Sequence, residues 1–140
     1  MTYKKRGFVA VGAPKPQRST EGSAGYDFRL PSDITLFPGD VVMMDSGVRA
    51  YMRRREVLLL HIRSSLGKIG VNLTNCTGVI DSDYFNTGQS IKVMLANRGD
   101  KVVKLKAGDK YMQGIFSEYL ITDDDRVSNH RKGGVGSTGR

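Results

Sequence analysis

The chain has 140 residues, 22 Lys+Arg against 14 Asp+Glu, and a formal charge of +8. Apolar residues are 39% and charged residues 26%, enough for one core and too apolar for global disorder; a single compact domain is expected. The longest aliphatic run, Val57-Leu58-Leu59-Leu60, falls far short of the ~20 residues a spanning helix needs, so no membrane segment is expected.

In chain order, short apolar or alternating runs are cut by turn signals. Gly7–Val11 is followed by Tyr26–Leu30 and the turn Pro31-Ser32-Asp33, then Ile34–Phe37 and Pro38-Gly39-Asp40. Val41–Met44, Gly47–Met52 and Val57–Ile62 come next. Gly70–Leu73 and Val79-Ile80 flank a polar stretch, Thr74–Gly78. Ile91–Ala96 ends at Asn97-Arg98-Gly99-Asp100, Val102–Leu105 at Ala107-Gly108-Asp109, and Tyr111–Ile121 is the last apolar stretch. Turn signals every ~8–12 residues point to an all-β sandwich or barrel. No useful helical period appears, and one helical turn is expected near Ser64–Lys68. Residues 1–121 read as the β domain. Residues 122–140 are acidic, then basic and Gly-rich, and read as a mobile arm.

Cys76 is the only cysteine, so neither an internal disulfide nor a Cys-rich zinc site is expected, and a reducing cytoplasm is the default. Lys4-Lys5-Arg6 is followed by Gly7 to Ala13 and then Pro14, a stretch too short and broken for a signal peptide. The positive balance implies an anionic partner. The 17 glycines, against a usual ~7% of residues, imply many turns and close backbone approaches. A small β domain with exposed edges and no Trp also suggests burial against further copies.

Three segments carry chemistry. Arg131 to Gly139 holds four glycines, two cations and two hydroxyls, which can lay backbone N–H groups against phosphate oxygens. It is not a P-loop, and a polar tail is the plain alternative. Gly78-Val79-Ile80-Asp81-Ser82-Asp83-Tyr84 sets two carboxylates after an apolar strand end. In extended chain they share a side, so one could serve as general base, or both could simply make a turn. Arg63-Ser64-Ser65-Leu66-Gly67-Lys68 offers a cation and hydroxyls at a strand end. It reads as a phosphate seat, a helix N-cap at Ser64 or Ser65, or both.

The order and co-occurrence of these segments resemble the trimeric dUTPase family, whose five motifs can all be found between Ala24 and Gly139. Ala24-Gly25-Tyr26-Asp27-Phe28 is similar to the first and Arg63 to Gly67 to the second. Asn75 to Tyr84 resembles the third, Gly108 to Phe116 the fourth, and Gly133 to Gly139 the fifth.

The resemblance implies a distorted jelly-roll or β-barrel subunit in a homotrimer with a swapped C-terminal arm. It also implies hydrolysis of dUTP to dUMP and pyrophosphate, with Mg2+ as cofactor. Asp81 matches the carboxylate that orients and deprotonates the attacking water. Tyr84 matches the aromatic under the deoxyribose that leaves no room for a 2′-hydroxyl. Asn75 and Gly78 lie on the hairpin that reads uracil. Arg63, Ser64, Ser65 and Gln113 match phosphate contacts. Arg131, Gly134, Val135, Gly136, Ser137 and Thr138 match the closing clamp. Asp27 matches the aspartate that holds Mg2+ through water.

The chain departs from the family pattern at four places. Val135 replaces an aromatic that stacks on uracil. The motif's arginine falls at His130, with Arg131 one residue later. Lys110 stands where arginine is usual, losing the bidentate fork. Phe85-Asn86-Thr87 extends a turn by two residues and reads as a surface loop. A rival of the same fold, dCTP deaminase, lacks the Asp-Ser-Asp-Tyr of the third motif. A nucleic-acid-binding or regulatory role is suggested by the net charge and Arg53-Arg54-Arg55. No recognised nucleic-acid motif accompanies them, and no stable nucleic-acid complex is expected. Phage-encoded members of the family imply a further partner class, repressor proteins.

Overall fold

A computed structural model describes residues 4–129 and 131. Its elements are β1 (Gly7–Ala10), β2 (Tyr26–Arg29), β3 (Ile34–Leu36), β4 (Val41–Asp45), β5 (Val48–Tyr51) and β6 (Glu56–Ile62), then the single helical turn α1 (Ser64–Gly67). β7 (Val71–Leu73) and β8 (Gly78–Asp81) follow, then a 3-10 helix (Ser82–Thr87), β9 (Lys92–Asn97), β10 (Val103–Leu105) and β11 (Lys110–Glu118). Each apolar run of the sequence yields a strand within a residue or two of its expected ends, except that the last, expected to reach Ile121, stops at Glu118.

All described pairings are antiparallel. A four-stranded sheet runs β2-β11-β6-β8, a three-stranded sheet β4-β9-β7, and two ribbons pair β1 with β5 and β3 with β10. Alternation places the core between them. Val48 and Ala50 of β5 point inward while Arg49 and Tyr51 face away. Leu58 and Leu60 of β6 and Val93 and Leu95 of β9 fill the centre. Phe8 packs on Phe28 and Phe116 at ring-centroid distances of 5.5 and 5.3 Å, tying β1 to the large sheet.

Alternation fails instructively in β11. The β11–β2 register shifts between Lys110 and Met112. This bulge lets consecutive residues Tyr111 and Met112 both turn into the core, each fully buried. The loops lock by close backbone approach. Gly70 has φ +94°, and a Cβ there would lie 2.6 Å from the Gly99 nitrogen, so only glycine fits. Asn97, 1% exposed, donates to the carbonyls of Leu36 and Lys101 at 2.9 and 2.8 Å and accepts from the Gly99 amide at 3.0 Å.

Two expectations need correction. The N-cap of α1 is Arg63, in extended conformation, with no side-chain cap; Ser64 and Ser65 are the first helical residues. The segment Phe85-Asn86-Thr87 is the second half of the 3-10 helix rather than a plain surface loop, and Phe85 is half-buried.

Candidate functional site

The β7–β8 hairpin turns sharply. The Thr77 amide donates to the Asn75 carbonyl at 2.6 Å, and Cys76 between them has φ 64°. Strand β8 then runs beside β6, Gly78 opposite Leu60 and Asp81 opposite Val57. Asp81 is the extended residue that caps the 3-10 helix. The helix carries Asp83 and Tyr84 immediately afterwards.

Asn75, Gly78, Asp81, Tyr84 and Arg131 all line one cleft of about 260 Å³. Tyr84 is 9% exposed, and its hydroxyl donates to the Ser90 carbonyl at 3.0 Å, fixing the ring at both ends. Thr87 Oγ donates to the Tyr84 carbonyl at 2.7 Å. Asp81 and Asp83 do converge, but by the onset of the helix rather than by strand alternation. Arg131 joins them: its Nε donates to Asp83 Oδ1 at 2.7 Å and its Nη2 to Asp81 Oδ2. The Asp83 hydrogen bond, with the charges of Asp83 and Asp81 and against the effect of burial, holds the Arg131 guanidinium above its usual value.

The other expected residues sit elsewhere. Asp27 of β2 lies opposite Gln113 of β11, which lies opposite His61 of β6. Arg63 follows β6, its amide donating to the Tyr111 carbonyl at 2.9 Å, and Ser64 and Ser65 are exposed beside it. Gly25 packs directly on the Gln113 side chain, where a Cβ would collide with Oε1. Asp27 Oδ2 accepts from Ser19 at 2.6 Å and lies 3.5 Å from Lys110 Nζ.

The two groups are far apart within one chain. Asp81 pairs with Val57, six residues along β6 from Arg63, or about 20 Å at the strand rise. Asp27 is three strands across and four residues along, also about 20 Å away by strand spacing. Gly134, Val135, Gly136, Ser137 and Thr138 lie outside the described residues. Residues 122–129 are irregular and exposed.

Among the described residues no cluster of three or more His, Cys, Asp or Glu could hold a metal ion. Asp27 is a lone carboxylate already facing a lysine. That donor set fits Mg2+ carried on a polyphosphate and held through water; it does not fit a cage made by the protein alone.

Sequence reasoning missed Lys92 and Met94, which line the cleft from β9. Alternation does put them on one face of their strand, but which face the cleft adjoins is set by the β4-β9-β7 order. It also missed Asp83 as the partner of Arg131, a contact across 48 residues.

A family model described as dUTPase matches residues 12–139. The chain belongs to the dUTPase family. The deoxyuridine 5'-triphosphate nucleotidohydrolase of Lactococcus lactis subsp. lactis (strain IL1403) is 38% identical, with 97% of this chain and 99% of that protein covered. The crystal structure of dUTPase from Streptococcus mutans superposes with a TM-score of 0.77 at 36% identity, covering 84% of this chain and 98% of that one. A dUTPase mutant of phage phi11 of S. aureus, described for its coordination of a structural Mg(II) ion, shares the fold with a TM-score of 0.76 at 17% identity, covering 90% and 98%. The fold is thus the all-β dUTPase fold expected from the motif order, and no described helix is long and apolar enough to cross a membrane.

Proposed function

We propose that the chain is a dUTP diphosphatase, in which water attacks the α-phosphate of dUTP and releases pyrophosphate from dUMP. The observation that carries this reading is the convergence of Asn75, Gly78, Asp81 and Tyr84 on one cleft. A half-exposed carboxylate stands at the mouth of a pocket floored by a buried aromatic ring. Asp81 takes a proton from the attacking water as the new P–O bond forms, and the bond from the α-phosphorus to the bridging oxygen breaks toward the β-phosphate. The ring of Tyr84 lies under the deoxyribose and excludes a 2′-hydroxyl by shape. The Asn75–Gly78 hairpin offers backbone groups to the uracil edge.

Arg63, Ser64, Ser65 and Gln113 hold the triphosphate, mainly by charge and position. Asp27 would hold Mg2+ through water, and the ion would neutralise phosphate charge. Arg131 and Gly134 to Thr138 close over the nucleotide as part of a C-terminal arm, residues 122–140, extending from the β domain of residues 1–121. Arg131 then exchanges Asp81 and Asp83 for phosphate oxygens.

The ~20 Å gap between the two residue groups supports a site shared between copies, as in the homotrimer the family resemblance implies: one copy supplies the base and sugar pocket, a neighbour the phosphate and metal side. An apolar stripe supports this. Val79, 58% exposed, lies opposite Leu59, and Leu59 opposite Ile115, across the sheet's outward face. Such a stripe is suited to burial against a second copy.

Pyrophosphate release is measured with dUTP, dTTP, dCTP and UTP, with and without Mg2+. Turnover confined to dUTP and promoted by Mg2+ is expected. No pyrophosphate from dUTP overturns the reading, and ammonia released from dCTP would assign the deaminase chemistry instead.

A further inference from the structure

The 3-10 helix that carries Asp83 and Tyr84 is gripped from the outside by a residue no motif contains. Arg49 sits on the outward face of β5, two residues before Tyr51. Its guanidinium carbon lies 4.0 Å from the centroid of the Phe85 ring, and its Nη2 donates to the Phe85 carbonyl at 2.8 Å. Tyr51 meets the same ring edge-on at 5.9 Å and 68°. Phe85 is therefore held at its face, its edge and its carbonyl.

This is an expensive arrangement for a cation. Arg49 has no carboxylate partner among the described residues, and its Nε is buried with no hydrogen-bond partner there. Burying a donor unsatisfied costs stability; the stacked ring and the carbonyl compensate only in part. The return is geometric. In a 3-10 helix residues three apart eclipse, so Phe85 projects about 120° around the axis from Tyr84. Fixing Phe85 against β5 sets the rotation of the helix, and so the direction of Tyr84 and Asp83 into the cleft.

We infer that Arg49 is a positioning residue for substrate selection: through Phe85 it holds the tyrosine that meets the sugar. The inference rests on the dUTP reading for its substrate and on the geometry alone for the clamp, and the two are tested separately. Amide hydrogen exchange across Ser82–Thr87 reads the clamp without any nucleotide. Faster exchange there is expected for Arg49→Ala, and wild-type exchange for Phe85→Tyr, which keeps the aromatic face. Wild-type exchange in folded Arg49→Ala overturns the inference. Should Arg49→Ala not fold, Phe85→Leu, which keeps apolar bulk but no ring, carries the same test with the same two outcomes.

Kinetics read the selection. Arg49→Ala is expected to lower kcat/KM for dUTP about tenfold, equivalent to ~1.4 kcal/mol of lost transition-state fit. It should also narrow the preference for dUTP over UTP, whereas Phe85→Tyr should keep both at their wild-type values. An unchanged dUTP/UTP ratio in a folded variant overturns the selection role. A wild-type protein without dUTP turnover overturns the functional reading, while the exchange measurement still decides the clamp.

Discussion

Tyr111 is a buried residue whose polar atom works against the fold. It is fully buried, and its hydroxyl has no hydrogen-bond partner among the described residues. Burial, with the charge of Asp45 adding, pushes the phenol above its ordinary value. An unsatisfied buried hydroxyl costs about 1–3 kcal/mol. Tyr111→Phe removes that cost and leaves a gap on the order of 10 Å³, worth only ~0.2 kcal/mol. The expected net is a gain of about 1–3 kcal/mol, at roughly 3–4 °C in Tm per kcal/mol for a chain this long. Urea unfolding at fixed protein concentration measures it, as a higher midpoint at unchanged slope. Activity should not change, because β11 holds Arg63 through the Tyr111 carbonyl, which the substitution keeps. A less stable phenylalanine variant would refute the reasoning, since the hydroxyl would then be making a bond worth more than its burial costs.

Asp81→Asn should lower pyrophosphate release by about 10²–10⁴-fold, the range for a lost general base, while calorimetry still detects dUTP binding. Removing residues 132–140 should leave the oligomer intact by sedimentation and cut turnover strongly; full activity would refute the closing arm. Burial raises Asp45, but hydrogen bonds from Ser90, Lys92 and the Gly47 amide outweigh it and bring the carboxyl from 3.8 down to about 2. A carboxyl lowered on folding stabilises above its unfolded value and loses that contribution as pH falls through its folded one. The Asp45 share should therefore fade between about pH 4 and pH 2, and Asp45→Asn should flatten the acid limb of a stability profile there.

The strands were legible because turn chemistry punctuates them. Gly39 and Gly108, with φ of 87° and 89°, sit where Pro38-Gly39-Asp40 and Ala107-Gly108-Asp109 announce a reversal. The third-motif residues were legible as a group because Asn75 to Tyr84 is one hairpin and one helical turn, so sequence proximity became spatial proximity. The bulge at Tyr111 was not legible, since it cancels the period on which inward and outward faces are assigned. Nor was the 3-10 helix, which is too short to show a period and is contacted at the Phe85 carbonyl by Arg49, 36 residues away. The separation of Asp27 and Arg63 from Asp81 was hidden for a different reason. Motif order along a chain says nothing about which end of a sheet each motif reaches; the β2-β11-β6-β8 register decides that.

That register has a consequence for the behaviour of the protein in dilute solution. On the proposed function, a solitary copy, however well folded, would hold the nucleophile's proton acceptor at one end and the anion seat at the other, and could use neither on the same nucleotide. Output per molecule would then depend on how many copies have met, and dilution alone would silence the proposed catalyst without unfolding it.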